Sequence, residues 1–356
     1  MTWLCPWCIF HKDYLRESDL CSFKMASVFK SYCSGCKWEE YELVSVAYHN
    51  EERAQHIFRE HGVLPSSVTC VLCDKECTFY EYRGLWRCTN STKVPKRKKR
   101  HTCSFSIADQ TGTFLENNQL DKWQVLLFIN LFVQKRWSHS SATRNLGITQ
   151  QTSVSWRHFC SEVCLKWLDH QEPIGGCGKI VEIGTTLFPS KNDKFEQDSK
   201  VSSVWLLGGI ERDSNKKFAV ALPEPLSTGE QGHDLDGGIL IPLIVKHVMP
   251  GTIIHTNNSL AYRCLTEAGF HHYTADHKEK FVSPIDKEVR MQKIKRLWRD
   301  IKEWCARPGN KVEYIHQYLG RYIFLNSVPS EERVHHFLKA AMKVYPEISQ
   351  QSNNSV

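Results

Sequence analysis

The chain has 356 residues, 41% hydrophobic and 24% charged, with a formal net charge of +7. That apolar content can bury at least one sizeable core and supply two or three modules, which excludes a disordered polypeptide. The opening MTWLCPWCIF lacks a basic start followed by a long apolar stretch, and the longest apolar segment, near 125–133, is too short to cross a bilayer, so neither secretion nor a membrane partner is expected. Of the fifteen cysteines, ten precede residue 104 and several stand in C-x2-C pairs, a spacing that chelates metal more readily than it forms disulfides. A reducing compartment follows.

Residues 1–65 are expected to form a Cys/His-rich, zinc-finger-like module. Cys33 and Cys36 precede a predicted helix, Asn50 to His61, that carries His56 and His61 at a spacing used by Cys2His2 fingers. The favoured ligand set is Cys33, Cys36, His56 and His61. Cys5 and Cys8 compete for the role, since with Cys33 and Cys36 they would make a four-thiolate site and leave both histidines on the surface. Cys21 is unassigned.

Residues 66–112 read as a zinc ribbon with a basic insertion. Cys70 and Cys73 are followed by the alternating segment Phe79-Tyr80-Glu81-Tyr82, a turn at Arg83-Gly84, then Trp86-Arg87-Cys88, with Cys103 further on. A hairpin that brings one Cys pair opposite the other gives Zn2+ a closed tetrahedral shell, a structural site with no open position. Cys88 and Cys103 lie wider apart than the second knuckle of a compact ribbon, and Cys77 is an alternative ligand. Reduced, buried cysteines without metal are the simpler alternative. The insertion holds Lys96, Arg97, Lys98, Lys99 and Arg100 after Pro95, a run that suits DNA phosphates and nuclear import, or else a solvated loop.

Residues 118–172 are helical in pattern. Trp123 to Trp137 has apolar residues at helical spacing, and the stretch after His139 reads as helix, glycine turn at Gly147, and a second helix capped by Thr149. This is the pattern of a helix-turn-helix, whose second helix, about Gln150 to Leu168, would present Gln150, Gln151, Ser153 and Arg157 to double-stranded DNA. A plain helical hairpin fits the same pattern. Cys160 and Cys164 read as core.

Residues 178–346 change to α/β character. Three strands are predicted at Lys179 to Ile183, Ser203 to Glu211 and Lys217 to Leu222, then a helix from Gly238 to Val248, a strand from Thr252 to Thr256, and helices at Leu260 to Ala268, Glu288 to Cys305 and Val312 to Leu325. That order is the one used by ribonuclease-H-like folds. The expected architecture is multidomain, mixed α+β and α/β: amino-terminal zinc modules, a helix-turn-helix, a carboxy-terminal ribonuclease-H-like domain, and a polar tail, 347–356, expected to be disordered.

The segments VEIGTTLF, WLLGGIERDSNKKF, MPGTIIHTNNSLAY, GFHHYTADHKEKFVSP and IKRLWRDIKEW resemble successive blocks of Merlin-type transposases and their bacterial insertion-sequence relatives. The resemblance runs from about Thr69 to about Tyr345. It implies a zinc ribbon, a helix-turn-helix and a catalytic domain with two Asp and one Glu. Transferred one at a time, those acids fall on Gly184, Asn257 and Lys295, and none of the three is an acid here. Two-metal strand transfer requires carboxylates. An ammonium about 4 Å from a divalent ion would cost roughly 8 kcal/mol at an effective dielectric near 20.

The sequence therefore points to a nuclear, catalytically inactive transposase relative that binds DNA through structural Zn2+ modules, needs no catalytic Mg2+, and could form a homo-oligomer. An active transposase using shifted carboxylates such as Glu182, Asp276 or Glu288 is the enzyme alternative. A zinc-dependent protein-interaction adaptor is the third.

Overall fold

The computed structural model describes residues 27–28, 31–93, 100–135, 138–189, 203–223, 237–275, 290–306 and 311–344. The chain divides into two compact units, Met1–Asn130 together with Val334–Val356, and Leu131–Arg333. The first unit is thus built from both ends of the chain, where the sequence had placed everything from 178 to 346 in one domain.

In the first unit, helix α1 (Glu40–Ala47) precedes α2 (Glu51–Glu60). Asn50 caps α2, its side chain accepting from the Arg53 N–H, and Glu51 and Glu52 lie in the first turn, where negative charge suits the helix dipole. Strand β1 (Ser27–Val28) pairs with β2 (Ser67–Val68). A three-stranded antiparallel sheet follows, β3 (Thr78–Tyr80), β4 (Leu85–Arg87) and β7 (Ser106–Ala108), in the order β3-β4-β7. Gly84, at φ 58°, makes the turn into β4, a backbone conformation that favours glycine. Between β4 and β7 lies a second hairpin, β5 (Ser91–Lys93) with β6 (Arg100–Thr102). This small sheet is joined to α2 through the buried Asp109, whose carboxylate accepts from Arg59 at 2.8 Å and from the Trp86 indole at 2.8 Å. The Arg59 guanidinium also lies 4.3 Å from the centre of the Phe79 ring. Helix α3 (Lys122–Phe132) ends at the division between the units.

The second unit begins with α4 (His139–Leu146) and α5 (Gln150–Asp169). Its centre is a five-stranded sheet of β9 (Ile180–Pro189), β10 (Ser203–Glu211), β11 (Lys217–Ala221), β13 (Ile253–Asn257) and β14 (His271–Ala275), ordered β11-β10-β9-β13-β14. The first three strands are antiparallel, and β13 runs parallel to both β9 and β14. Side chains alternate across the strands and seed a core on each face. On one face Leu206 and Ile210 pack with Ile294, Leu297, Trp298 and Ile301 of α7 (Gln292–Cys305) and with Leu319 and Tyr322 of α8 (Ile315–Ser327). On the other, Val181, Ile183, Leu207 and Ile254 pack with Leu240 and Ile244 of α6 (Gly237–His247). A short parallel pair, β8 (Ile174–Gly175) and β12 (Val248–Met249), lies apart from this sheet.

Four elements depart from the sequence expectation. The helix predicted from Leu260 to Ala268 is a 3-10 segment, Leu260–Leu265, and the last predicted helix opens with a 3-10 turn, Val312–Tyr314. Strand β14 and helix α9 (Arg333–Val344) were not anticipated.

Candidate functional site

The Sγ atoms of Cys70, Cys73, Cys88 and Cys103 converge, each within 4.8 Å of the others. Cys70 and Cys103 are 3.4 Å apart and Cys73 and Cys88 3.5 Å, close to the roughly 3.8 Å edge of a zinc tetrathiolate built from 2.3 Å bonds. The chain folds each cysteine in locally. Asp74, at φ 53°, turns the first knuckle back so that the Cys70 N–H meets the Lys75 carbonyl, and the Leu72 N–H donates to Cys70 Sγ at 3.4 Å. The wide spacing of Cys88 and Cys103 is absorbed by the β5–β6 hairpin. Cys103 N–H donates to the Asn90 carbonyl and Cys88 N–H to that of Phe105, so the two cysteines meet where the hairpin springs from the ribbon. Hydrogen bonds from the Asn90 side chain and the Lys75 backbone draw the Cys73 thiol down to about 7. Cys88 receives the Asn90 N–H, yet burial and the neighbouring thiols push it up to about 12. Burial also raises Cys70. A metal ion bound by this crowded set would displace the thiol protons that remain on it. Cys77, the alternative ligand, is buried against this set and its thiol is raised to about 11 by burial, but it stands outside the converging four.

A second convergence departs from the sequence expectation in one ligand. Cys33, Cys36 and His61 come together as proposed, but His56 does not join them. Its ring points outward, 58% exposed, and Nε2 lies 3.2 Å from the Glu60 carboxylate one turn along α2. His335 of α9 takes the fourth place. Five residues of helix turn His56 about 140° away from His61, and here it is His61, at the end of α2, that faces Cys33 and Cys36. Cys5, Cys8 and Cys21 lie outside the described residues.

Of the four residues expected to read bases, Gln150 and Gln151 stand exposed at the start of α5, behind the Thr149 cap. Gly147, at φ 66°, ends α4 and aims the chain into that helix. Ser153 is a correction. It is fully buried and hydrogen bonded to His139 Nδ1 at 2.9 Å, because the fourth position of the helix turns inward toward α4. Arg157 is half-buried with its guanidinium 5.2 Å from the centre of the Tyr318 ring. Arg144 and Asn145 are also exposed, at the end of α4 just before the turn. Cys160 and Cys164 are core, both raised by burial. Lys96, Arg97, Lys98 and Lys99 lie outside the described residues, and Arg100 opens β6, where Lys93 pairs with it across the hairpin.

Gly184, Asn257 and Lys295 occupy one face of the central sheet and the helix over it. His255 pairs with Glu182 across parallel strands, which sets Asn257, two residues further, level with Gly184. Gly184 faces Gly208 across β9 and β10, and the Trp298 indole lies over this glycine pair. A Cβ on Gly184 would sit 3.4 Å from Ile294 Cγ1 and 3.5 Å from Trp298 Nε1, while one on Gly208 would sit 2.6 Å from Trp298 Cη2. Asn257 Oδ1 and Trp298 Nε1 are buried without a hydrogen-bond partner among the described residues. Burial lowers the Lys295 ammonium. Glu182, one of the acids that could have substituted, is buried and engaged. One oxygen accepts the Lys293 and Ile294 N–H groups at 2.8 and 3.1 Å, capping α7, and the other lies 3.3 Å from Arg212. Asp276 and Glu288 lie outside the described residues.

Residues 234–324 match the family described as the ISXO2-like transposase domain. No curated protein matches the chain. One solved structure, described as the cryo-EM structure of simian T-cell lymphotropic virus intasome in complex with PP2A regulatory subunit B56 gamma, aligns with 54% of this chain and 66% of that chain at 16% identity and a TM-score of 0.26, a likeness too slight to assign a fold. The chain therefore contains a stretch similar to a transposase domain, beside two clusters able to hold metal.

Proposed function

We propose that this chain is a nuclear, transposase-derived protein of the Merlin type that binds double-stranded DNA and has lost strand transfer. The sheet order β11-β10-β9-β13-β14, antiparallel then parallel, supports a ribonuclease-H-like reading of the second unit. In that reading the catalytic acids would stand at Gly184, at Asn257 and on α7 at Lys295. One observation carries the loss of chemistry: the Trp298 indole lies over the Gly184–Gly208 pair, in the space a carboxylate on Gly184 would need to reach a divalent ion. Glu182 on the same face is held by the first N–H groups of α7 and by Arg212, so releasing it to a metal would uncap the helix.

The binding function rests on other parts. Cys70, Cys73, Cys88 and Cys103 would hold a structural Zn2+, which supplies folding stability to the ribbon and no reactivity. The basic run 96–100 would track phosphates, and α4 with α5 would act as a helix-turn-helix with Gln150 and Gln151 at base edges. Pairing of two copies on one DNA site would suit such a module.

The test combines fluorescence anisotropy on duplex DNA over a salt series with a cleavage assay in Mg2+ or Mn2+. Zinc-dependent, salt-sensitive binding without cleavage is expected. Divalent-metal-dependent cleavage that disappears in Glu182→Gln would establish the shifted-acid enzyme instead. Zinc binding with no affinity for DNA at low salt would leave the interaction adaptor.

A further inference from the structure

The cluster at Cys33, Cys36, His61 and His335 spans nearly the whole sequence. Cys33 and His335 are 302 residues apart, and His61 and His335 are 274 apart. We propose that these four residues hold one Zn2+ and that the ion is a clasp, fastening helix α9 to the amino-terminal segment and closing the first unit around the chain inserted between them.

The distances fit a single ion. Cys33 Sγ is 3.5 Å and Cys36 Sγ 3.6 Å from His335 Nδ1, Cys36 Sγ is 3.3 Å from His61 Nε2, and the two ring nitrogens are 3.2 Å apart. Bonds of 2.3 Å to sulfur and about 2.05 Å to nitrogen at tetrahedral angles require S···N edges of about 3.5 Å and an N···N edge of about 3.3 Å. Hydrogen bonds would join these atoms two at a time. Here all four lie within 4.8 Å of one another, around one point.

The surroundings orient the ligands as metal sites do. His61 Nδ1 lies 2.7 Å from the Ile57 carbonyl, so Nδ1 carries the proton and Nε2 turns its lone pair to the cluster. The Trp38 indole N–H donates to Cys36 Sγ at 3.2 Å, a bond that strengthens when the sulfur is a thiolate. Both imidazoles are buried, His61 1% and His335 8% exposed. The backbone brings the first three ligands together. Tyr32 and Cys33 N–H both donate to the Glu60 carbonyl, which places the Cys33 knuckle beside His61 at the end of α2.

The fourth ligand gives the site its role. α9 returns to the first unit from Val334 on, with Phe337 edge-on to Phe114 at 6.0 Å between ring centres. Ordering a helix at the far end of so long a chain costs entropy, and metal affinity is added directly to the contacts that hold it. Val334, Phe337, Leu338 and Ala341 already bury one side of α9, and the ion would add the bond that ties the helix to the Cys33–Cys36 knuckle. The clasp does not depend on DNA binding or on the fate of the catalytic acids.

The test measures zinc per full-length chain by elemental mass spectrometry and probes α9 by limited proteolysis. The natural chain should carry two ions, one for each cluster. His335→Ala should carry one, retain the ribbon ion, and become cleavable near α9. A chain that keeps its full zinc content after His335→Ala, or a natural chain with ribbon zinc alone, overturns the proposal. If His335→Ala fails to fold, His335→Cys decides. With Co2+ in place of Zn2+, the added thiolate should intensify the sulfur-to-cobalt charge-transfer band, whereas a spectrum identical to that of the natural chain would place residue 335 outside the metal shell and refute the clasp.

Discussion

The glycine pair beneath Trp298 makes an asymmetric prediction. A Cβ on Gly208 would stand 2.6 Å from Trp298 Cη2 and 2.9 Å from the Phe218 carbonyl oxygen. The indole can tilt, but the carbonyl belongs to β11, and moving it strains the sheet. Overpacking of this kind costs up to about 3 kcal/mol, and Gly208→Ala is assigned that upper value. The methyl of Gly184→Ala meets Ile294, Trp298 and Met291 at 3.4, 3.5 and 3.8 Å, ordinary contacts. Removing a glycine from a strand returns roughly 0.5–1 kcal/mol, so this variant should be as stable as the natural chain or slightly more so. Gly184→Asp goes further, because its carboxylate must enter the space already filled by Ile294 and Trp298. A burial-induced rise of about three pKa units costs about 4 kcal/mol, and a new bond from the unpartnered Trp298 Nε1 would recover roughly 2. Restoring all three acids by Gly184→Asp, Asn257→Asp and Lys295→Glu should therefore produce no Mn2+ site while Trp298 remains. Urea unfolding gives the order of midpoints, and calorimetry gives the metal. A Gly208→Ala midpoint equal to that of the natural chain, or Mn2+ bound by the triple variant, would refute the packing argument.

Replacing Lys96, Arg97, Lys98, Lys99 and Arg100 with alanine should weaken binding to all duplexes alike, reduce the salt slope by about 0.9 per lost phosphate contact and lower nuclear accumulation; an unchanged slope with unchanged localisation would make the run surface charge. Gln150→Ala with Gln151→Ala should leave non-specific affinity intact but cost about 1–3 kcal/mol of discrimination per lost base contact, read by site selection on random duplexes, and an unaltered preference would move readout away from α5. His247, stacked on Phe218 with ring centres 4.7 Å apart, is lowered by burial to about 4. Its unfolded value is the ordinary 6.5, so the unfolded chain takes the proton first and stability falls as pH drops from 6.5 toward 4. The full shift corresponds to about 3 kcal/mol, reduced to roughly 1–2 by solvent access, and His247→Gln should flatten the loss between pH 7 and 5 in urea titrations.

What the sequence disclosed follows the range of the interactions involved. Strands β10 and β11 and the Thr149 cap were legible because alternation and capping act over a few residues. The fourth ligand of the amino-terminal cluster was not, since His56 and His335 are equally plausible until the chain is folded, and the partner of Cys33 lies 302 residues away. The helix bearing it left a local signal in the spacing of Val334, Phe337, Leu338 and Ala341, all buried on α9. Ser153 failed for a related reason: its chemistry suits a base edge, but the burial that turns it toward His139 depends on how α4 and α5 pack.

Under the proposed function, packing also explains how a face that once carried carboxylates can be stable without them. Three acids on adjacent strands and a helix repel one another until cations arrive, so such a site holds strain that the rest of the fold must offset. Under the proposed function, that constraint disappears once strand transfer is no longer needed. The face holds the buried Glu182 carboxylate, matched by Arg212 and by the first N–H groups of α7, while the glycine pair accepts an indole. These features reinforce one another: the indole needs Gly208, and the helix that carries it needs its Glu182 cap. If strand transfer has been lost as proposed, its recovery by a single substitution is disfavoured by the fold itself. A return to metal binding would have to move Trp298, free Glu182 and replace Lys295 together.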